Sequence, residues 1–322
     1  MGYPAIYYIA AIFYPALVAV GVPVNLTAIV ILFRGKCGLS KCITRYLVGM
    51  AAADLMVVIL VVLVEQTNNI YIYSRFLFIT PVCALTVVIG RVATDCSIWF
   101  TVSFTFDRFI AICCRKLRER YCTDRTATVV IVTVVIVSCG RSVPIYFALE
   151  PYVIIDNTPW RCIGGYEYVT SPVWRGYELL NSILTPLLPI GLLVVFNGLT
   201  VRHIVVANRV RRRLLHSSDN QKDAEVENRR KSMILLFSVS ANFILLWMPY
   251  VAFSLKWQVQ NYFYQDRYLS SPVYILQQFG YMLQFLSMCT NTSIYTLTQR
   301  KFREELRNGM TYVFTLNGHL CR

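Results

Sequence analysis

Histidine is scarce in this chain of 322 residues: there are three, His203, His216 and His319. No HExxH or GxSxG run occurs, and no carboxylate pair or metal-ligand cluster stands at catalytic spacing. An intramembrane enzyme is therefore disfavoured. Acid is also scarce, with 17 Asp and Glu against 31 Lys and Arg, for a net charge of +14. Charge of either sign is missing from four long runs, 6–33, 179–201, 232–255 and 268–299. With 56% of residues hydrophobic, those runs exclude a soluble domain of this size.

A membrane-crossing helix needs roughly 20 mostly apolar residues. Beyond the charge-free runs, 46–64 carries only Asp54, 76–106 carries Arg91 and Asp95, and 126–149 carries Arg141. Seven spans are therefore expected, near 6–33, 43–66, 76–106, 126–149, 176–201, 232–256 and 271–297. Each must be a helix, because hydrocarbon offers no partner for free backbone groups. The predicted fold is an all-α membrane protein, a seven-transmembrane helix bundle in a single domain over 1–322. An eighth, amphipathic helix is expected over 299–308, where Phe302 and Leu306 share a face among alternating charges.

Orientation follows from the loops. With the N-terminus outside, the four inner segments hold 24 of the 31 basic residues. The positive charge then faces anionic lipid and an inner-side partner, and no nucleic-acid partner is needed to explain it. A cleavable signal peptide is not expected, since Arg34 follows the first apolar run rather than preceding it. A large outer domain is likewise not expected before the first span. Of 11 cysteines, only Cys83 and Cys162 fall on the oxidising side, so one disulfide between them is expected. The sequons at Asn25 and Asn291 fall inside spans and are read as non-acceptors.

Several motifs stand in order along these spans. Asn25 lies in the first and Asp54, within Ala51–Leu55, in the second. Cys83 opens the third and Asp107-Arg108-Phe109 closes it. Pro189 marks the fifth and Trp247-Met248-Pro249 the sixth. Asn291 to Tyr295 ends the seventh, and Phe302 follows. Taken together they resemble the class A, rhodopsin-like, G-protein-coupled receptors over nearly the whole chain. The run Phe104 to Phe109 looks like the group around the orphan G-protein coupled receptor 139. The competing class is a membrane transporter or channel. Such proteins tend to show inverted repeats and broken half-helices, and neither is visible here.

The resemblance implies roles for named residues. Asp107, Arg108, Phe109 and Tyr295 would serve coupling to a heterotrimeric G protein. Trp247, Pro249, Phe243, Ile98, Pro189 and Asn291 would form the activation switch. Asp54, Ser97, Ser287 and Asn291 match a sodium pocket, and oxygen ligands around a buried carboxylate do suit a hard cation. The alternative is a structural, hydrogen-bonded Asp54. Beyond an allosteric sodium ion, no cofactor is implied. Where the family often adds an acidic lock in the sixth helix, this chain has Arg229. The family's proline in the seventh is Thr292, and a tyrosine of the fifth is Asn197.

For an extracellular ligand, Arg91, Asp95, Glu65, Asn181, Tyr250, Tyr281 and Gln277 are the candidate lining, with Tyr177 and Glu178 nearby. Gly90 stands where amine receptors carry Asp, and Phe285 where opsins carry the retinal lysine. An aromatic, hydrogen-bonding pocket of this kind suits a small peptide or an aromatic amino acid. Two arrangements of the charges remain open. Asp95 pairs with Arg91 one turn away or with Arg141, or else Arg91 is left to hold a ligand carboxylate.

Overall fold

The computed structural model describes residues 5–35, 37–67, 76–214, 223–260 and 272–320. Helix α1 spans Ala5–Phe33, and α2 spans Lys41–Val57 and continues as a wider π-helix over Val58–Thr67. The central helix α3 spans Thr80–Cys113, after a single 3-10 turn at Phe76–Phe78. A short α4, Arg115–Tyr121, leads to α5, Asp124–Ala148. Two strands follow, β1 Leu149–Ile155 and β2 Thr158–Gly164. Helices α6, Tyr166–Thr170, and α7, Pro172–Ser182, then lead through a π-turn at Ile183–Leu187 into α8, Leu188–Leu214. Helices α9, Asp223–Gln260, α10, Pro272–Thr298, and α11, Arg300–Leu320, complete the chain.

Among the described residues, six helices are long and apolar enough to cross a membrane. α10 is 27 residues long but more polar, since it carries Gln277, Gln278, Gln284 and Asn291. It packs between α1 and α9 as the remaining stave of the bundle. Helix α3 runs through the middle, against α2, α5, α8 and α9. The outer faces are apolar and bare: Ile12 and Phe33 on α1, Val137 and Phe147 on α5, Leu245 on α9. Such surface is stable only in lipid.

Three features differ from the expectation. Asp107-Arg108-Phe109 does not end the third helix, because α3 runs on to Cys113. The outer loop is not all coil: β1 and β2 form an antiparallel hairpin, so the protein is mostly rather than wholly helical. Its turn is Asp156-Asn157, both at positive φ, as a two-residue hairpin turn requires. The fifth span is broken one turn before Pro189, at Pro186. Proline lacks the N–H and disfavours a helical residue before it, and Thr185 is accordingly extended at φ −150 and ψ 103.

The core has two parts. One surrounds Tyr46, Phe104, Tyr295 and Phe302 at the inner end. The other surrounds Tyr14, Ile98, Phe243, Trp247 and Phe285. α11 is held by Phe302, buried and edge-on to Tyr295 at 6.1 Å. Arg303 caps α10 by donating to the carbonyls of Thr296 and Leu297 at 3.1 and 2.9 Å.

Candidate functional site

The outer end is built on the disulfide. Cys83, in the first turn of α3, is bonded to Cys162 of β2, with Cα atoms 5.9 Å apart. Thr80 donates to the Arg161 carbonyl at 2.7 Å, and Ile79 bridges Trp160. The hairpin is thus stitched to α3 at three points, above a cavity of about 300 Å³.

Four charges line that cavity, in two crossed pairs. Arg91 binds Glu178 of α7 at 3.0 Å, and Tyr168 of α6 donates to the same carboxylate at 2.5 Å. Burial, and next the Glu178 charge, push the Tyr168 phenol above its ordinary range, so it stays a donor. Asp95 pairs with Arg141 of α5, and Thr185 donates to it at 2.8 Å. Thr185 reaches that position because Pro186 breaks the helix there. The two pairs differ in exposure. The side chains of Arg91 and Glu178 are 39% and 29% exposed, those of Arg141 and Asp95 only 15% and 7%.

Asn181, Tyr250, Tyr281 and Tyr177 line the cavity. Gln277 does not. It lies on α10 outside the lining, and Gln284, two turns further in, takes the polar place on that helix. Gln284 is buried and its Oε1 has no hydrogen-bond partner. The sequence signal for it was weak: one of several glutamines in a charge-free run, seven residues from Gln277. The side chain of Glu65 lies outside the described residues.

An aromatic column descends from the cavity. Tyr281 meets Tyr250 at 5.7 Å, Tyr250 meets Trp247 at 5.8 Å, and Trp247 stacks on Phe243 at 5.1 Å. Ile98 packs in the same cluster as Phe243 and Trp247, and Pro189 is buried on α8. Pro249 lies within α9, between Trp247 and Tyr250. Gly280 of α10 lets the helices close here, since a Cβ would lie 2.9 Å from the Tyr250 backbone.

At mid-depth Asp54 is fully buried. Ser97 donates to one carboxylate oxygen and Asn291 to the other, at 2.8 Å for Asn291. Asn25 ties α1 to the Met288 carbonyl at 3.1 Å, and its Oδ1 is buried without a partner. Ser287 is buried on α10, but both hydrogen bonds recorded for Asp54 come from Ser97 and Asn291. Among the described residues no cationic side chain pairs with Asp54. A buried carboxylate with only neutral partners needs a proton or a small cation, and carboxylate and hydroxyl oxygens such as those of Asp54 and Ser97 are ligands of the type sodium takes.

The inner end is a cavity of about 840 Å³, lined by Arg108, Arg118, Cys122, Leu235, Lys301 and residues of the turn before α2. Arg108 pairs with Asp107, which is fully buried. Phe109 faces sideways and stacks on Phe196 of α8 at 5.8 Å. The Tyr295 hydroxyl is buried without a partner. The side chain of Arg229 lies outside the described residues.

The sequence matches the 7 transmembrane receptor (rhodopsin family) over residues 24–295. The chain belongs to this family. It is a multi-pass membrane receptor of the rhodopsin family and not an enzyme, which sets aside the transporter or channel reading. Relatives are distant. The receptor is 24% identical to the FMRFamide receptor of Drosophila melanogaster over 88% of its own length and 50% of that protein. It is 27% identical to the blue-sensitive opsin of Gallus gallus over 81% of its length and 69% of the opsin. It is 24% identical to the thyrotropin-releasing hormone receptor of the same species over 89% and 74% of the two chains. The chain therefore spans half the length of the first of these and more than two thirds of the others.

Proposed function

We propose that the receptor takes a small extracellular ligand, a short peptide or an aromatic amino-acid-like molecule, in its outer cavity and activates a heterotrimeric G protein at its inner one. The aromatic column carries this reading. Tyr281, Tyr250, Trp247 and Phe243 form one run of ring contacts from the polar cavity into the bundle. A ligand that moves Tyr250 moves Trp247 with it, because packed aromatics shift together. Arg91 is the group for a ligand carboxylate and Glu178 for an ammonium, since theirs is the more exposed pair. Two of the relatives are named as receptors for peptides, FMRFamide and thyrotropin-releasing hormone. Phe285 lines the cavity where an opsin needs its lysine, so a retinal Schiff base has no attachment there.

At the inner end Arg108 is the coupling residue, held by Asp107 until the inner half of α9 swings outward about Pro249. Asp54, with Ser97, Ser287 and Asn291, is read as a sodium-linked site. Within the family we place the receptor with the group around the orphan G-protein coupled receptor 139, on the Phe104 to Phe109 run. The test is a screen of short peptides and free amino acids on cells expressing the receptor, with calcium and cyclic-AMP readouts. A hit whose potency falls about tenfold or more in Arg91→Gln supports the reading, as loss of one charge-assisted contact implies. A hit indifferent to Arg91, Glu178 and Tyr250 together contradicts it.

A further inference from the structure

Asp107 is held by more than its arginine. Cys42, in the first turn of α2, donates its thiol to Asp107 Oδ1 at 3.1 Å. Cys122, in the turn between α4 and α5, donates to the Asp107 backbone carbonyl at 3.6 Å. We propose that these two thiols clamp the Arg108 switch, with Cys42 and Cys122 as positioning residues that tie α3 to α2 and to the α4–α5 turn in the uncoupled state. The proposal rests on the reading of Arg108 as the coupling residue.

The geometry explains why a clamp is needed. Arg108 is the next residue of the same helix. Their ion pair neutralises Asp107 but ties α3 to nothing else. The carboxylate is fully buried, so its second oxygen needs a donor from another element. Cys42 is that donor. The two thiols together hold the side chain and the main chain of one residue from two separate segments. At the sixth-helix position where the family often has an acidic lock, the sequence has Arg229.

Thiols are weak donors, so the clamp yields more easily than a hydroxyl clamp would. Burial, and next the Asp107 charge, push the Cys122 thiol up to about 12, which keeps it protonated and donating. Cys122 also lines the inner cavity beside Arg108, within reach of a small reagent.

Ligand-free nucleotide exchange on a purified heterotrimer, per receptor at the surface, tests this. Cys42→Ala and Cys122→Ala are each expected to raise it about two- to tenfold, the worth of one lost hydrogen bond. Cys42→Ser and Cys122→Ser are expected to return it to the parental level or below. Parental exchange in both alanine variants overturns the proposal, and so does serine that fails to restore. If an alanine variant does not reach the membrane, alkylation decides. Iodoacetamide is expected to label Cys122, read on its own peptide by mass spectrometry, about threefold faster or more in Asp107→Asn, because loss of the carboxylate raises the thiolate fraction. An equal rate shows that Cys122 does not sit against Asp107 as the clamp requires and overturns the proposal at that residue. The Arg108→Ala receptor separates the two claims. If it loses coupling while the alanine variants stay at the parental level, the clamp alone is wrong. If it couples normally, the switch reading itself is wrong.

Discussion

Arg91 and Asp95 sit one turn apart on α3 and do not pair. Each reaches across to another helix, Arg91 to Glu178 and Asp95 to Arg141. One helix thus presents both signs to the cavity, and each sign is neutralised from elsewhere. The deeper pair is the structural one. Removing one partner of a buried pair leaves an uncompensated charge and costs about 3–5 kcal/mol. Arg141→Met is therefore expected to lower the melting temperature of the detergent-solubilised receptor sharply, and adding Asp95→Leu to recover much of the loss. Arg91→Met, at the wetter pair, is expected to lower it far less. Equal losses at the two pairs would refute the assignment.

Gln284 invites a different kind of test. Its Oε1 is buried with no partner at the cavity wall, which itself costs roughly 1–3 kcal/mol. Gln284→Leu is expected to leave the ligand-free melting temperature unchanged or raised, and to weaken any agonist found by screening. A variant that melts lower and binds as before would show the side chain to be ordinary packing.

The Cys83–Cys162 bond closes a sequence separation of 79. In the chain-entropy treatment a loop of that length is worth roughly 4 kcal/mol. Cys162→Ser is expected to cut surface expression, and the remaining receptor to lose affinity because the hairpin is freed from α3. Normal expression and affinity in that variant would deny the bond its role.

At mid-depth, Asp54→Asn is expected to abolish any sodium dependence of agonist affinity, measured by titration against a potassium control. A sodium response that survives in the variant would leave Asp54 with only its hydrogen bonds to Ser97 and Asn291.

The bundle was legible because lipid imposes one rule on every span, and charge-free runs announce it. Asp54, Cys83, Arg108 and Trp247 were legible because each is unusual for its depth or stands in a motif. The charge pairing was not. Asp95 had two arginines at plausible range, Arg91 one turn away and Arg141 on another helix, and Glu178 as the partner of Arg91 follows only from the crossing of α3 with α7. The hairpin had a signal that length-based reading passed over: a β-branched run, Val153 to Ile155, before Asp156-Asn157. Thr185 was hidden because its role comes from the helix break at Pro186, while the motif drew attention to Pro189. Gln277 and Gln284 both lie on α10, and a charge-free helix gives no phase from which to tell which glutamine faces inward.

The central claim is that Arg108 passes the state of the bundle to a G protein. Its most direct test is agonist-driven nucleotide exchange by Arg108→Ala at parental surface density, with agonist binding measured on the same membranes. Exchange lost with binding retained is the expected result, because the outer cavity and Arg108 lie at opposite ends of α3. Full exchange in that variant would contradict the account.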